Sequence, residues 1–400
     1  MTKIYLDHAA TTYVDPKVLE SMIPYFTEEF GNPTSIYSQG RSAKKAIEDA
    51  RTTISELLNC EYGELIFTGS GTESDNLAVF GTVEALTNKL KKDPTELHII
   101  TTAIEHSAIL APFKKLEKQG YRVTYLKPDR EGIISAESLE AAITPETIFV
   151  SIIYANNEIG VVQPIKELAT TTHKRNSSII FHTDACQAGG ALTLDTQDLG
   201  IDLLTLNASK IYGPKGIGLL FKKSGTPLEP QIIGGGQEGD QRSGTENVPG
   251  IIGLAKALEL AEESREEESA RLTQLRDKLI KGLTNSMPRT YLNGHTTKRL
   301  PNNANLLILD IEGEALLLHL DNEEIAVSTG SACDSKSLEP SHVLLALGLP
   351  KEAVHGSLRF TLGKKTTEEE IDKVLQILPP IVEKLRQASP VKIDEKKLGL

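Results

Sequence analysis

Cys333 carries a thiol, which can act as a nucleophile, among small and polar residues. It lies in the run 328–341, where Gly, Ser and Asp residues are typical of an exposed loop. A thiol in such a loop can meet a substrate or a partner protein. Of the other two cysteines, we expect Cys60 to be structural at the end of an amphipathic helix and Cys186 to be a buried spacer. An exposed cysteine is more often incidental than catalytic, so the role of Cys333 depends on the rest of the chain.

The run Gly69-Ser-Gly-Thr72 separates a short strand pattern, Leu65–Phe67, from a helical pattern. Backbone N–H groups at a helix N-terminus, with the Thr72 hydroxyl beside them, are suited to binding a phosphate. The alternative is an ordinary tight turn between a strand and a helix. The run therefore predicts a phosphate site only together with other residues.

Two further polar residues follow apolar strand patterns. Asp184 ends the run 181–184, where a carboxylate is costly unless a cation or a hydrogen bond compensates it. A protonated pyridinium nitrogen would supply that cation; the alternative is a carboxylate that caps the next turn. Lys210 follows Leu203–Leu206, and its amine is either a Schiff-base partner for an aldehyde or a solvated lysine. A phosphate site, a pyridinium partner and an amine are together the three requirements of pyridoxal phosphate.

These residues lie at strand ends in a chain that alternates strand and helix patterns. The predicted strands of the first half are Leu65–Phe67, His98–Thr102, Tyr121–Leu126, Ile148–Tyr154, Ile179–His182, Leu203–Leu206 and Ile217–Phe221. Apolar strands between helices predict an α/β fold with a mostly parallel sheet covered by helices on both faces. In such sheets ligands bind beyond the carboxyl ends of the strands.

The second half predicts a smaller α+β domain. Residues 248–283 have a helical pattern that the charged run Glu262–Glu268 interrupts, and we expect one long helix that links the domains and exposes this run to solvent. We predict a large cofactor-binding domain over residues 1–260 and a small domain over 261–400 that carries the Cys333 loop, with the first residues also contributing to the small domain. The charged run Pro390–Leu400 is expected to be frayed.

Composition excludes several classes of function. The chain has 400 residues and a formal net charge of -12, which argues against a nucleic-acid partner. No apolar run is long enough to span a membrane, and the first residues do not resemble a secretion signal. Three cysteines without a C-x-x-C spacing predict neither a disulfide framework nor a metal site. We therefore expect a cytoplasmic protein without a metal.

The motifs along the chain resemble those of cysteine desulfurases of the NifS/IscS type, a branch of the fold-type I (aminotransferase class V) pyridoxal-phosphate enzymes. The resemblance runs from Tyr5 to about Gln387. The runs that carry it are Tyr5-Leu-Asp-His-Ala-Ala-Thr-Thr12, Gly31-Asn-Pro33, Gly71-Thr-Glu-Ser-Asp-Asn76, Glu105-His106, Asn156-Asn-Glu-Ile-Gly160, Lys210-Ile-Tyr-Gly-Pro-Lys-Gly216, Arg242-Ser-Gly-Thr245, Ser331-Ala-Cys333 and Arg359. Position 209 is Ser where many relatives have His, so one phosphate contact is expected to differ in kind.

The resemblance implies a role for each matching residue. The implied catalytic residues are Lys210, Cys333 and His106. The implied cofactor-binding residues are Lys210, Gly71, Thr72, His106, Asn157, Asp184, Gln187, Asn207, Ser209 and Thr245. The implied substrate-binding residues are Arg359, Asn32 and Asn157, with Arg359 forming a bidentate pair with the substrate carboxylate. Thr245 would reach the phosphate of a partner subunit, which implies a homodimer.

The implied activity is removal of sulfur from L-cysteine, which gives L-alanine and a persulfide on Cys333. The persulfide would pass to acceptors such as an iron–sulfur scaffold or a tRNA-thiolation protein. Within the same family the alternatives are a selenocysteine lyase, an enzyme that removes sulfinate and an aminotransferase. An aminotransferase does not need Cys333, and a selenocysteine lyase does not depend on it strictly. The alternative from another class is a sulfur-relay platform that binds partners without catalysis. The absence of a G-x-G-x-x-G run after the first strand argues against a dinucleotide site.

Overall fold

The structure is a computed structural model, and it describes residues 3–329, 340–390 and 392–398. Cys333 and most of its loop lie outside the described residues, so what we predict for them stays a prediction. The strands are β1 (Ile4–Tyr5), β2 (Leu65–Thr68), β3 (His98–Thr102), β4 (Arg122–Leu126), β5 (Thr147–Ser151), β6 (Ile180–Asp184), β7 (Leu203–Asn207), β8 (Gly218–Lys222), β9 (Thr290–Leu292), β10 (Asn303–Ile308), β11 (Ile325–Ala326) and β12 (Ser357–Thr361).

The helices alternate with the strands through the first half of the chain and dominate the second. They are α1 (Pro16–Met22), α2 (Pro24–Thr27), α3 (Ser38–Leu58), α4 (Gly71–Asn76), α5 (Thr82–Leu90), α6 (Ser107–Lys118), α7 (Ala136–Ala142), α8 (Ile165–Arg175), α9 (Thr196–Leu199), α10 (Val248–Glu263), α11 (Arg265–Ser286), α12 (Gly313–Asn322), α13 (His342–Ala346), α14 (Lys351–Val354) and α15 (Glu368–Ala388). No helix in the described ranges is both long and apolar enough to cross a membrane.

A seven-stranded sheet forms the centre of the larger unit, in the order β2-β8-β7-β6-β5-β3-β4. Strands β4, β3, β5, β6 and β7 pair in parallel, while β8 pairs antiparallel with both β7 and β2. Strands such as β5 are buried along their whole length, because apolar clusters cover both faces of the sheet. The predicted α/β fold with a mostly parallel sheet is confirmed.

A second, smaller sheet has the antiparallel order β12-β10-β9, and β1 pairs in parallel with β11. Helices α11, α12 and α15 pack around this sheet and form a separate apolar cluster. Ile4 and Leu6 belong to that cluster although they open the chain. The predicted α+β unit is therefore present, and its first strand is contributed by the start of the chain. The domain boundary at residue 260 stays a prediction.

Two expectations were wrong in detail. The long helix over 248–283 is two helices, α10 and α11, which meet at Ser264. The Ser264 hydroxyl donates to the Leu260 carbonyl at 2.8 Å, a contact that competes with the helical hydrogen bonds. The charged run 390–400 is not frayed over 392–398, since Leu398 is fully buried and the Ile393 N–H donates to Asp310 at 2.8 Å.

Candidate active site

Lys210 lies at the carboxyl end of the large sheet, in the turn that follows β7. The Asn207 side chain opens this turn by accepting a hydrogen bond from the Ser209 N–H at 3.2 Å. The Lys210 amine donates to the carbonyl oxygens of Ala9 at 2.8 Å and Ala10 at 2.6 Å. The amine is thus directed toward the segment 7–12, which comes from the start of the chain.

Helix α4 begins beside Lys210's strand. A Cβ atom on Gly71 would lie 2.7 Å from the Cys186 sulfur and 3.3 Å from the Asn207 Cβ. Glycine is therefore required where the N-terminus of α4 meets the ends of β6 and β7. Ser70 accepts a hydrogen bond from the Glu73 N–H at 3.1 Å, and Thr72 is exposed at the surface of this turn. The predicted phosphate-binding run and the lysine are brought to one place.

Asp184 ends β6 and is only 4% exposed. One of its oxygens accepts from the Cys186 N–H at 2.9 Å, so it does cap the next turn, as the alternative interpretation supposed. Among the residues that the structure describes, no lysine, arginine or histidine nitrogen pairs with this carboxylate within 4.0 Å. A buried carboxylate that no cation of the described residues pairs with fits a protonated ring nitrogen as its partner.

A second buried carboxyl group lies behind Asp184. Burial first, and the charge of Asp184 second, raise the pKa of Asp75 well above its ordinary value. His182, in the same layer, is kept neutral because burial lowers its pKa to about 3. Asp75 therefore favours its protonated form. Nothing in the sequence pattern singles out Asp75, although this residue lies in α4.

His106 precedes α6 and caps it, since its Nδ1 accepts from the Ala108 N–H at 3.1 Å. This contact leaves the proton of the neutral ring on Nε2. Burial lowers the pKa of His106, while the charge of Asp184 raises it. The neighbouring Glu105 is fully buried, and burial raises its pKa to about 8. A neutral imidazole beside Asp184 and Lys210 is suited to stacking and to proton transfer.

Arg359 projects from β12 of the smaller sheet and is 2% exposed. Its Nη2 donates to Asp7 Oδ1 at 2.7 Å, and its Nη1 donates to the Asn157 carbonyl at 2.9 Å. Its Nε is buried and has no hydrogen-bond partner in the described part of the chain. A buried guanidinium with an unused donor fits a ligand carboxylate.

The remaining predicted residues divide into two groups. Gln187 lies in the site, where its Nε2 donates to the Ala9 carbonyl at 3.0 Å, next to Lys210. Asn32 and Thr245 are exposed, and Asn32 Oδ1 accepts from the Thr34 N–H at 3.0 Å within its own turn. Their roles toward a substrate or a partner subunit stay predictions. Asp7 and the carbonyls of segment 7–12 were missed, although the run 5–12 is one of the matching motifs.

Fold and site together define a class. Residues 4–374 match the aminotransferase class-V family, and the chain belongs to that family. Enzymes of this family depend on pyridoxal phosphate, which the donor set at Lys210, Asp184 and His106 fits. The match covers both sheets, so the family relation extends over the whole site.

Named relatives are similar over almost the entire chain. A cysteine desulfurase IscS of Clostridium botulinum is 51% identical over 391 residues, which is 97% of this chain and 96% of that protein. The solved structure of a NifS-like protein has a TM-score of 0.88 at 36% identity and covers 96% of this chain and 100% of that chain. The structure of SspA in complex with cysteine has a TM-score of 0.78 at 35% identity and covers 90% of this chain and 99% of that chain.

Proposed function

We propose that this chain is a cysteine desulfurase that converts L-cysteine to L-alanine and passes the sulfur atom to a thiol of its own. The observation that carries the proposal is similarity at 51% identity, over 97% of the chain, to a protein of that activity. The site supports it with an amine at Lys210, a buried anion at Asp184 and a buried cation at Arg359. A solved relative, SspA, is described in complex with cysteine.

Different residues of the site would act on the carboxylate of the substrate and on its amine and Cα. Arg359 would bind the cysteine carboxylate through its unused Nε and a neighbouring N–H. Lys210 would hold the cofactor aldehyde and, once displaced by the substrate amine, move a proton from the cysteine Cα. His106 would stack on the ring, and Thr72, Asn207 and Ser209 would hold the phosphate. When bound, pyridoxal phosphate supplies an electron sink for the carbanion at Cα.

Asp184 would keep the ring nitrogen protonated, because a buried carboxylate beside a pyridinium nitrogen stabilises the charged form of that nitrogen. Asn157 and Gln187 would approach the ring oxygen, and Gly71 allows the phosphate turn to lie close to the end of β6. These roles are supported by the way the structure gathers Lys210, Asp184 and Gln187 at one sheet edge.

The sulfur acceptor is proposed to be Cys333. Its thiolate attacks the sulfur of the bound cysteine, so that the Cβ–S bond breaks and a new S–S bond forms on Cys333. The Cβ takes up a proton and becomes the methyl group of L-alanine. The net reaction is L-cysteine plus the Cys333 thiol to L-alanine plus the Cys333 persulfide, which balances without a further oxidant.

A homodimer is part of the proposal. Large apolar side chains are exposed in two stretches of the chain, with Phe30 70% exposed, Ile36 89% exposed and Ile233 87% exposed. Such residues are typical of a surface that a second copy covers. Thr245, which follows Ile233 in the sequence, is also exposed, and it would reach the phosphate of a partner subunit.

A cytoplasmic location and an iron–sulfur scaffold as sulfur acceptor complete the proposal. The odd number of cysteines and the need for a free thiol favour a reducing compartment.

The decisive experiment is to incubate the purified holoenzyme with L-cysteine and locate the added sulfur by mass spectrometry. We expect one extra sulfur atom on the peptide with Cys333, release of L-alanine, and loss of both in Cys333→Ser with the cofactor absorbance retained. Full turnover by Cys333→Ser would overturn the acceptor role. Turnover of selenocysteine but not of cysteine by the wild-type protein would favour a selenocysteine lyase, and no alanine from either would favour the relay platform.

A further inference from the structure

Asp7 is the acidic partner of the buried Arg359. Its Oδ1 lies 2.7 Å from Arg359 Nη2, and no second acidic side chain pairs with this guanidinium within the described ranges. The side chain of Arg359 is 2% exposed, and that of Asp7 is 18% exposed. Because a guanidinium does not lose its proton, a buried arginine needs a fixed acceptor. Asp7 meets that need and leaves Nε of Arg359 without a partner.

The backbone around Asp7 is held against the strand that carries Arg359. The Thr361 N–H donates to the Leu6 carbonyl at 2.7 Å, and the Ala9 N–H donates to the Thr361 hydroxyl at 2.9 Å. Asp7 itself forms a parallel bridge with Thr361. Asp7 therefore approaches Arg359 from a backbone that is fixed on both sides.

Segment 7–12 also contacts Lys210, the amine of the site. The Ala9 carbonyl accepts hydrogen bonds from the Lys210 amine at 2.8 Å and from Gln187 at 3.0 Å. The Ala10 carbonyl accepts a second bond from Lys210 at 2.6 Å. Segment 7–12 thus joins the guanidinium of the smaller sheet to the amine of the larger sheet.

We propose that Asp7 is a positioning residue that fixes the Arg359 guanidinium for an amino-acid carboxylate, at a distance from Lys210 set by segment 7–12. This inference rests on the proposed role of Arg359 in substrate binding. Asp7 acts on a ligand carboxylate in two opposing ways, since it orients the guanidinium and also repels a second anion. At 2% exposure water has little access to replace Asp7 as the partner of Arg359, so the orienting effect is the larger one.

The test measures binding of two small amines to the holoenzyme by the change in cofactor absorbance. L-Alanine has the carboxylate that Arg359 would hold, and ethylamine is the same molecule without it. Asp7→Asn should weaken L-alanine binding about tenfold, the size expected when a neutral hydrogen bond replaces a charge-assisted one. Ethylamine binding should change less than about twofold, because it does not use Arg359.

Matched variants separate positioning from general damage. Asp310→Asn removes the acid of another arginine pair, with Arg289 at 2.9 Å, at the far end of β10, and should leave both Kd values unchanged. Asp7→Glu keeps the charge and should recover most of the L-alanine affinity. If Asp7→Asn does not fold, Asp7→Glu is the variant in which L-alanine and ethylamine binding are compared. In an Arg359→Gln background, Asp7→Asn should add less than a twofold further loss, since Asp7 acts through Arg359.

Three results would overturn the inference: tighter L-alanine binding in Asp7→Asn, an equal loss for ethylamine, or a full tenfold further loss in the Arg359→Gln background. None of these measurements needs sulfur transfer. A protein that releases no alanine from cysteine would refute the proposed function, whereas the two-amine comparison would still decide the role of Asp7.

Discussion

The site has two halves that are built in different ways. The amine half consists of Lys210, Asp184, Gly71 and Asn207, which end or follow strands β7, β6 and β2 of one sheet. The carboxylate half consists of Arg359 and its contacts, which join residues 352 positions apart at Asp7 and 202 positions apart at Asn157. The topology of a parallel sheet collects the first group by itself. The second group depends on how two units and the start of the chain pack together.

The halves also differ in how they handle buried charge. Beside the amine half, burial raises the pKa values of Asp75 and Glu105, so both carboxyl groups favour their protonated forms. In the carboxylate half, the charge of Arg359 is met directly by Asp7, and the nearby Glu158 is bound by Ser341 at 2.5 Å. The first half controls protons, whereas the second half fixes the position of a permanent cation.

The largest expected effect is on the amine half. Lys210→Ala should lower alanine release from cysteine by roughly 10²–10⁴-fold or more, because the group that moves protons at Cα is removed. The measurement is alanine release, together with borohydride reduction and peptide mapping, which should find the cofactor attached at residue 210 only in the wild type. Lys223→Ala, at an exposed position just after β8, is the control and should keep both the alanine release and the cofactor attachment. A reducible adduct on another lysine of the wild-type protein would contradict the assignment.

A smaller loss of activity is expected when Arg359, in the carboxylate half, is replaced. Arg359→Gln should raise the KM for L-cysteine by roughly 100-fold, the range found when one partner of a buried charge pair is truncated. The effect on kcat should be smaller, since the proton-transfer groups remain. Arg359→Lys keeps the charge but loses the planar guanidinium. Its KM for L-cysteine should therefore lie between those of the wild type and of Arg359→Gln. Equal losses for cysteine and for cysteamine, which lacks the carboxylate, would show that Arg359 acts on the fold instead.

The sequence predicted the amine half well and the carboxylate half only in part. Asp184 and Lys210 were found because each follows an apolar strand, and strand ends of a parallel sheet share one edge. Asp7 lies in a matching motif, but nothing in its neighbourhood indicates that its partner is a strand near residue 359. The helical pattern is interrupted over Glu262–Glu268, but it did not show that one helix ends at Ser264 and another begins, because the bond from the serine hydroxyl to a helical carbonyl forms only in the folded chain.

The pH dependence of stability should distinguish the halves further. Burial raises the pKa of Glu158 to about 7, above the value of about 4.3 expected in the unfolded chain. The folded state therefore binds a proton that the unfolded state releases, and this contribution to stability is complete below about pH 4.3 and lost as pH rises to about 7. Each such group lowers the free energy of unfolding by roughly 1.4 kcal/mol per pH unit within that window.

Glu158→Gln removes that titration. We expect the wild type to lose stability to urea between pH 5 and pH 7, and the variant to lose less. Glu20→Gln, at an exposed position, should reproduce the wild-type slope. An unchanged slope in Glu158→Gln would mean that Glu158 is ionised throughout this range, and that Arg359 has a second anion near it besides Asp7.

The smallest expected effect concerns Cys186, which follows β6 in the amine half, and Cys60, which follows α3. Burial raises the pKa of Cys60 to about 12 and that of Cys186 well above its ordinary value, so both thiols stay protonated near pH 8. A protonated thiol is a poor sulfur acceptor. The double variant Cys60→Ala/Cys186→Ala should therefore release alanine within about twofold of the wild type, with a modest drop in Tm from lost packing. A tenfold loss at unchanged cofactor content would place one of these thiols in sulfur transfer, and the amine half would then do more than control protons.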